Sequence, residues 1–229
     1  MDDPRDVFIS RVVKGKTFAD LGGLWGTVNE KVSVAHSAGA TRLTMIDRIT
    51  KDEDDWRQFE ERRRSLGLPE VECISKDILS LADNPGYPQY DVVHCAGVLY
   101  HIPDPMRLVE TLRKITREYL ILSSVITPTK VKSDLGTLEV PESCCLFIPA
   151  LKGNELAIVK SYWQRFVGDG AVGVTRELAD WRDTHYVPWW WLPTVQALKS
   201  MAAAAGFQFM DGAPFWNDNA YSQLLRVRK

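Results

Sequence analysis

Residues Thr17 to Gly26 read T-F-A-D-L-G-G-L-W-G, and this stretch limits the possible folds more than any other. Its first half suits a short buried strand, Lys16 to Leu21. Gly22, Gly23 and Gly26 then predict a tight turn, and Thr27 to about Ser37 a helix with Val28, Val32 and Ala35 on its inner face. Glycine fits where the backbone takes positive φ or lies close to a ligand. A turn that opens a helix also aims free N–H groups and the positive dipole end at whatever binds there. Nucleotide-binding α/β proteins use that arrangement, and the same crevice accepts other adenosine ligands. The phosphate motifs themselves do not fit. No Gly-Lys-Ser/Thr follows, and Leu24 stands where G-x-G-x-x-G needs its second glycine.

The rest of the chain repeats the strand-then-helix rhythm. Asp2 to Lys14 predicts a short leading helix. Ala40 to Asp47 predicts a second strand that ends on an acid, about 20 residues beyond the glycines. An acid so placed can accept hydrogen bonds from ribose hydroxyls. Asp52 to Leu66 reads as a surface helix with Trp56, Phe59 and Leu66 inward and the Arg62-Arg63-Arg64 run solvated. Val71 to Ser75 is the third strand, followed by Asp77, which can cap a short helix or hold an exocyclic amine. Asp91 to Cys95 reads as the central strand. Gly97 follows it, and Asp104 sits as N-cap before a helix Met106 to Ile115. Glu118 to Ile126 is the fifth strand. The polar residues and glycines gather at strand C-termini, the ligand edge of an open parallel sheet.

At 229 residues the chain suits a single domain, 1–229, large enough to fold on its own core. A net charge of −2 offers nucleic acid no general attraction. The four cysteines, Cys73, Cys95, Cys144 and Cys145, lack metal-ligand spacing and read as buried thiols of a cytoplasmic protein. No signal peptide and no membrane-spanning run is visible.

With these stretches in hand, the chain resembles the class I S-adenosylmethionine-dependent methyltransferases over roughly Thr17 to Ile126. Asp20-Leu-Gly-Gly is similar to the family's first motif. Asp47 matches its ribose-binding acid, and Asp77-Ile78 its adenine-flanking pair. Val98-Leu-Tyr-His-Ile-Pro-Asp-Pro, running into Leu108-Val-Glu-Thr-Leu-Arg, is the most specific part. It resembles the small-molecule branch and the tRNA wobble-uridine modifying enzymes. The resemblance implies an α/β Rossmann-like fold with a seven-stranded, mostly parallel sheet, an antiparallel final strand, helices on both faces and an insertion after strand five. It implies S-adenosylmethionine as cofactor, S-adenosylhomocysteine as product, and no metal. The implied cofactor residues are Asp20, Gly22, Gly23, Leu24, Asp47, Arg48, Asp77, Ile78, Cys95, Ala96 and Gly97. Leu24 displaces the second motif-one glycine, Trp25 is large for that loop, and Arg117-Glu118 replaces the usual Pro-Gly-Gly turn.

The implied core is 15–126, with a substrate-side insertion at 127–192 and a closing helix and strand pair at 193–229. Thr175 to His185 reads as a helix, and Tyr186-Val-Pro-Trp-Trp-Trp-Leu-Pro follows. Three adjacent indoles cannot all point one way, so two are expected to fasten the loop and one to face a planar substrate. A helix is expected from Pro193 to Ala205, capped at Gly206, and strands at Phe207 to Met210 and Tyr221 to Val227. Tyr100, Trp163, Tyr186 and Trp189 are the candidate acceptor contacts. His101 and His185 are the candidate general bases, while His36 and His94 read as structural. The expected activity is methyl transfer to oxygen or nitrogen of a small aromatic or planar molecule, with a homodimer as the candidate assembly. A wobble-uridine-type tRNA enzyme using S-adenosylmethionine or its carboxylated form is one alternative. A non-catalytic partner subunit, with Leu24 and Trp25 filling the methionine pocket, is another.

Overall fold

A computed structural model of the protein describes residues 3–24, 30–83, 86–167, 174 and 189–228. Helix α1 (Pro4–Val12) opens the chain, with Asp3 as N-cap accepting the Arg5 N–H at 3.0 Å. Then strand and helix alternate: β1 (Thr17–Leu21), α2 (Val32–Ser37), β2 (Arg42–Asp47), α3 (Asp54–Ser65), β3 (Glu72–Ser75), β4 (Tyr90–Ala96), α4 (Pro105–Ile115) and β5 (Thr116–Val125). The insertion holds a hairpin, β6 (Lys130–Ser133) and β7 (Gly136–Glu139), then β8 (Cys145–Phe147), helix α5 (Gly153–Val167) and β9 (Trp191–Pro193). Helix α6 (Val195–Ala204), β10 (Phe207–Phe215) and β11 (Ala220–Val227) close the fold.

Seven strands form one sheet in the order β10-β11-β5-β4-β1-β2-β3. Counted along the chain, that is 3-2-1-4-5-7-6. Strand β11 runs antiparallel to both neighbours, and β1, β2, β3, β4 and β5 are parallel. Strand alternation gives the sheet two buried faces. Phe18, Met45, Val92 and Ile121 pack under α1, α2 and α3, against Phe8, Ile9, Val32, Trp56 and Phe59. Ala19, Ile46, Val93 and Leu122 pack on the other face, against Leu108 and Leu112 of α4 and Leu198 of α6. The insertion has a third core, in which Val131, Ile148, Val159, Trp163 and Trp189 meet Val125.

The structure departs from the sequence reading in several places. Pro193 does not open the last helix. It ends β9, pairing with Cys145, and Thr194 is the N-cap, accepting the Ala197 N–H at 3.2 Å. The tryptophan run is therefore partly a strand. Leu66 is 47% exposed, because it falls past the end of α3. Only Cys95 is fully buried; Cys73, Cys144 and Cys145 are half-buried. Strand β10 runs on to Phe215, since Asp211 to Phe215 keep pairing with β11 beyond a register shift. The arginine run of α3 is paired, Arg62 with Glu30 and both Arg63 and Arg64 with Glu60. The expected start of the second helix at Thr27 and the expected helix Thr175 to His185 lie outside the described residues, as do Trp25 and Gly26.

Candidate active site

The turn after β1 meets the ends of its neighbours. Gly22 has φ +75°, and a Cβ there would stand 2.3 Å from Val98 Cγ2, so the turn lies directly on the segment that follows β4. The Gly22 N–H donates to Ile46 O at 2.9 Å, and the Leu24 N–H to Asp47 Oδ2 at 3.2 Å. Lys76 N–H donates to Asp47 O at 2.7 Å, which brings in the end of β3. Asp77 follows there, exposed, capping the 3-10 turn Ile78–Asp83 through the Leu79 N–H at 2.9 Å. The glycine turn, Asp47 and Asp77 thus share the C-terminal edge of the sheet, where open α/β sheets bind ligands.

Asp47 is buried, and no cationic side chain among the described residues forms an ion pair with it. Desolvation pushes its pKa above the ordinary carboxylate value, and the neighbouring Asp20 charge adds to this. Backbone N–H bonds from Ile49, Leu24 and Arg48 act the other way. A carboxylate so placed keeps acceptor capacity beyond its backbone donors. That suits the vicinal hydroxyls of an adenosine ribose, so the residues present fit such a ligand. Arg48 itself is exposed. Leu24 is buried with Phe8, Val13, Phe18 and Val32, so its side chain belongs to the core and not to the crevice. Ile78 and Cys95 are core residues of the opposite face, where burial pushes the Cys95 thiol up. Ala96 is half-buried and Gly97 exposed at the end of β4. Among the described residues, only Tyr100 Oη approaches within 4 Å of where a Gly97 side chain would start, at 3.9 Å.

Tyr100 and His101 lie in a 3-10 turn, Leu99–His101, just past β4. Their rings are 4.2 Å apart, and Tyr100 packs edge-on against Trp189 at 5.6 Å. Burial pushes the Tyr100 phenol up to about 12, so it stays neutral at physiological pH. The insertion is tied to this turn by backbone and side chain. The Trp190 N–H donates to Tyr100 O at 2.7 Å and Trp191 Nε1 to Pro103 O at 3.0 Å. Phe147, 36% exposed, stacks against half-buried Trp190 and Trp191 at 6.4 and 4.4 Å.

Two expected acceptor contacts take another position. Trp163 and Trp189 are 1% and 5% exposed, edge to face at 4.9 Å in the core of the insertion. They support that unit and present no open face. Beside the Tyr100-His101 turn, the partly open aromatic surface comes from Phe147 and the half-buried Trp190 and Trp191. His185 and Tyr186 lie outside the described residues. His94 is buried with Nδ1 2.7 Å from Asp20 Oδ1, a contact that depends on strand register and has no mark in the sequence. Among the described residues, no group of three or more His, Cys, Asp or Glu is placed to hold a metal ion. Nor is any described helix long and apolar enough to cross a membrane.

A family model described as a methyltransferase domain matches residues 14–211. No curated protein matches the chain. Among solved structures, magnesium protoporphyrin IX methyltransferase from Synechocystis PCC 6803, with bound S-adenosylhomocysteine, is similar at TM-score 0.57 and 16% identity, over 99% of this chain and 82% of that one. The 1,6-didemethyltoxoflavin-N1-methyltransferase of Burkholderia thailandensis is similar at TM-score 0.57 and 11% identity, over 100% and 80%. Mitomycin 7-O-methyltransferase is similar at TM-score 0.57 and 12% identity; the match spans 98% of this chain but 53% of that one. At such identities the structures share the fold, whereas the family model covers most of the chain, including the glycine turn and the segment after β4. This chain belongs to the class I S-adenosylmethionine-dependent methyltransferases.

Proposed function

We propose that the enzyme methylates an oxygen or nitrogen of a small planar molecule that stacks on the insertion's aromatic wall. The observation that carries this reading is the placing of Phe147, Trp190 and Trp191 beside the Tyr100-His101 turn, at the end of β4. Indole and phenyl faces suit flat, apolar or electron-poor rings. The bound cofactor supplies a methyl group on a sulfonium, open to in-line displacement. The chain's own residues then act mainly by positioning. Asp47 accepts the ribose hydroxyls, and the exposed Asp77 lies beside the base. The neutral Tyr100 phenol, beside Gly97, offers its ring and oxygen to the reacting end. His101 takes the proton of a hydroxyl acceptor; an amine acceptor needs only desolvation and orientation. The solved neighbours are named for magnesium protoporphyrin IX, the 7-oxygen of mitomycin and N1 of 1,6-didemethyltoxoflavin, which supports a small-molecule acceptor.

The test is a panel of planar phenols and heteroaromatic amines, run beside unmodified tRNA, with S-adenosylhomocysteine release read by mass spectrometry. Turnover with a planar small molecule and none with tRNA is the expected result; turnover with tRNA alone overturns the reading. With a hydroxyl acceptor, His101→Ala is expected to lower kcat by about a hundredfold or more.

A further inference from the structure

His94 of β4 lies across from Asp20 of β1 in parallel register. Both side chains are buried, and His94 Nδ1 stands 2.7 Å from Asp20 Oδ1. The other carboxylate oxygen, Oδ2, accepts the Lys31 N–H at 2.7 Å, at the N-cap of α2. Gly23 passes over the same oxygen so closely that a Cβ there would lie 2.5 Å from it. Lys31 is held in turn by α1, its Nζ 2.9 Å from Asp3 Oδ2 and 2.6 Å from Asp6 Oδ1. The Asp20 carboxylate therefore sits between the strand β4 imidazole and both ends of the cofactor loop, Gly22–Leu24 and Glu30–Lys31.

His94 Nε2 is buried and has no hydrogen-bond partner among the described residues. An unpaired buried acceptor is a cost that an apolar side chain of similar volume would avoid. Packing alone therefore does not account for an imidazole here, and the nitrogen that touches Asp20 does. We propose that His94 is a positioning residue for the cofactor loop: its Nδ1–H fixes the Asp20 carboxylate in the orientation that caps Lys31, and so sets the spacing of the two loop ends around the cofactor. His94 touches no reacting atom in this scheme; it acts through Asp20.

The experiment compares His94→Leu, which removes the donor, with His94→Asn, which keeps an N–H of similar reach. Calorimetric titration of each full-length variant with S-adenosylhomocysteine is the readout. His94→Leu is expected to bind about tenfold or more weakly, as for loss of a hydrogen bond to a charged group, and His94→Asn to recover most of that affinity. Wild-type affinity in His94→Leu overturns the proposal. So does an equal loss in both variants, which would assign the effect to ring packing. If His94→Leu does not fold, nitrogen NMR of the wild-type imidazole decides: a proton on Nδ1 supports the proposal, and a proton on Nε2 alone overturns it.

Discussion

Asp47 stands between two opposed requirements. Burial favours its protonated form, while ribose hydroxyls are accepted best by the ionised one. Because its folded pKa is raised, its contribution to stability is fully present below the unfolded carboxylate pKa and is lost as pH rises through the folded value. With Asp47 as the proposed ribose acceptor, cofactor binding runs the other way, since it needs the charge. Affinity for S-adenosylhomocysteine is therefore expected to fall as pH drops through the raised pKa, approaching about tenfold per unit below it. Asp47→Asn should flatten that slope and weaken binding at neutral pH. A calorimetric pH series on both proteins checks this, and a flat wild-type profile contradicts it. Gly22 yields a second residue-scale prediction. Its φ of +75° and the 2.3 Å approach to Val98 leave no room for a methyl group. Gly22→Ala should destabilise by more than about 1 kcal/mol, read as a Tm loss of roughly 2–4 °C for each kcal/mol in a chain of this size. Both residues were legible in the sequence through their chemistry and spacing. Leu24 was not: its place beside the glycines suggests a ligand contact, but only the packing of α1 and α2 shows its side chain turned into the core.

Among the elements, the insertion after β5 is the one whose sequence is hardest to interpret. Its strands β8 and β9 are short, 3 residues each, and lie on opposite sides of α5 in the chain. No local period reveals a pairing that far apart. Its core is centred on Trp163, which meets Trp189, Tyr162, Phe166 and Trp216. The turn between β10 and β11 helps lock it. Buried Asn219 accepts from the Tyr162 hydroxyl, and Trp216, Asn217 and Asp218 all have positive φ to bring it there. Trp163→Ala should cost about 3–5 kcal/mol of local packing. Because Trp163 is outside both sheet cores, acceptor turnover is expected to fail while S-adenosylhomocysteine still binds near wild-type affinity. Calorimetry and a turnover assay on the same preparation separate the two. Loss of cofactor binding as well would show that the insertion and the crevice fold as one unit.

For the whole molecule, ligand binding should appear as stability. A ligand that binds only the folded state, at a hundredfold over its Kd, stabilises by about 2.7 kcal/mol. S-adenosylhomocysteine at that excess is expected to raise Tm by roughly 5–10 °C. NAD and ATP, whose phosphates have no matching motif here, should raise it little at the same concentration. Thermal-shift curves with the three ligands test this; a larger shift with NAD would overturn the cofactor assignment. The order 3-2-1-4-5-7-6 explains why one crevice suffices. Strands β1 and β4 are neighbours at the point where the strand order reverses, so the turns after them meet at one sheet edge, Gly22 against Val98.

By itself the sequence determined the alternation of strand and helix, and the one sheet edge at which the glycine turn and the strand-end acids Asp47 and Asp77 gather. These depend on local period, on glycine at a turn, and on acids at strand ends, all of which act within a few residues of chain. Only the tertiary structure decided which aromatics face outward, that Pro193 ends a strand, and that His94 grips Asp20. Those outcomes depend on register between strands and on packing between segments far apart in the chain. Such contacts are selected by the shape of the assembled core, to which each short stretch contributes only a part.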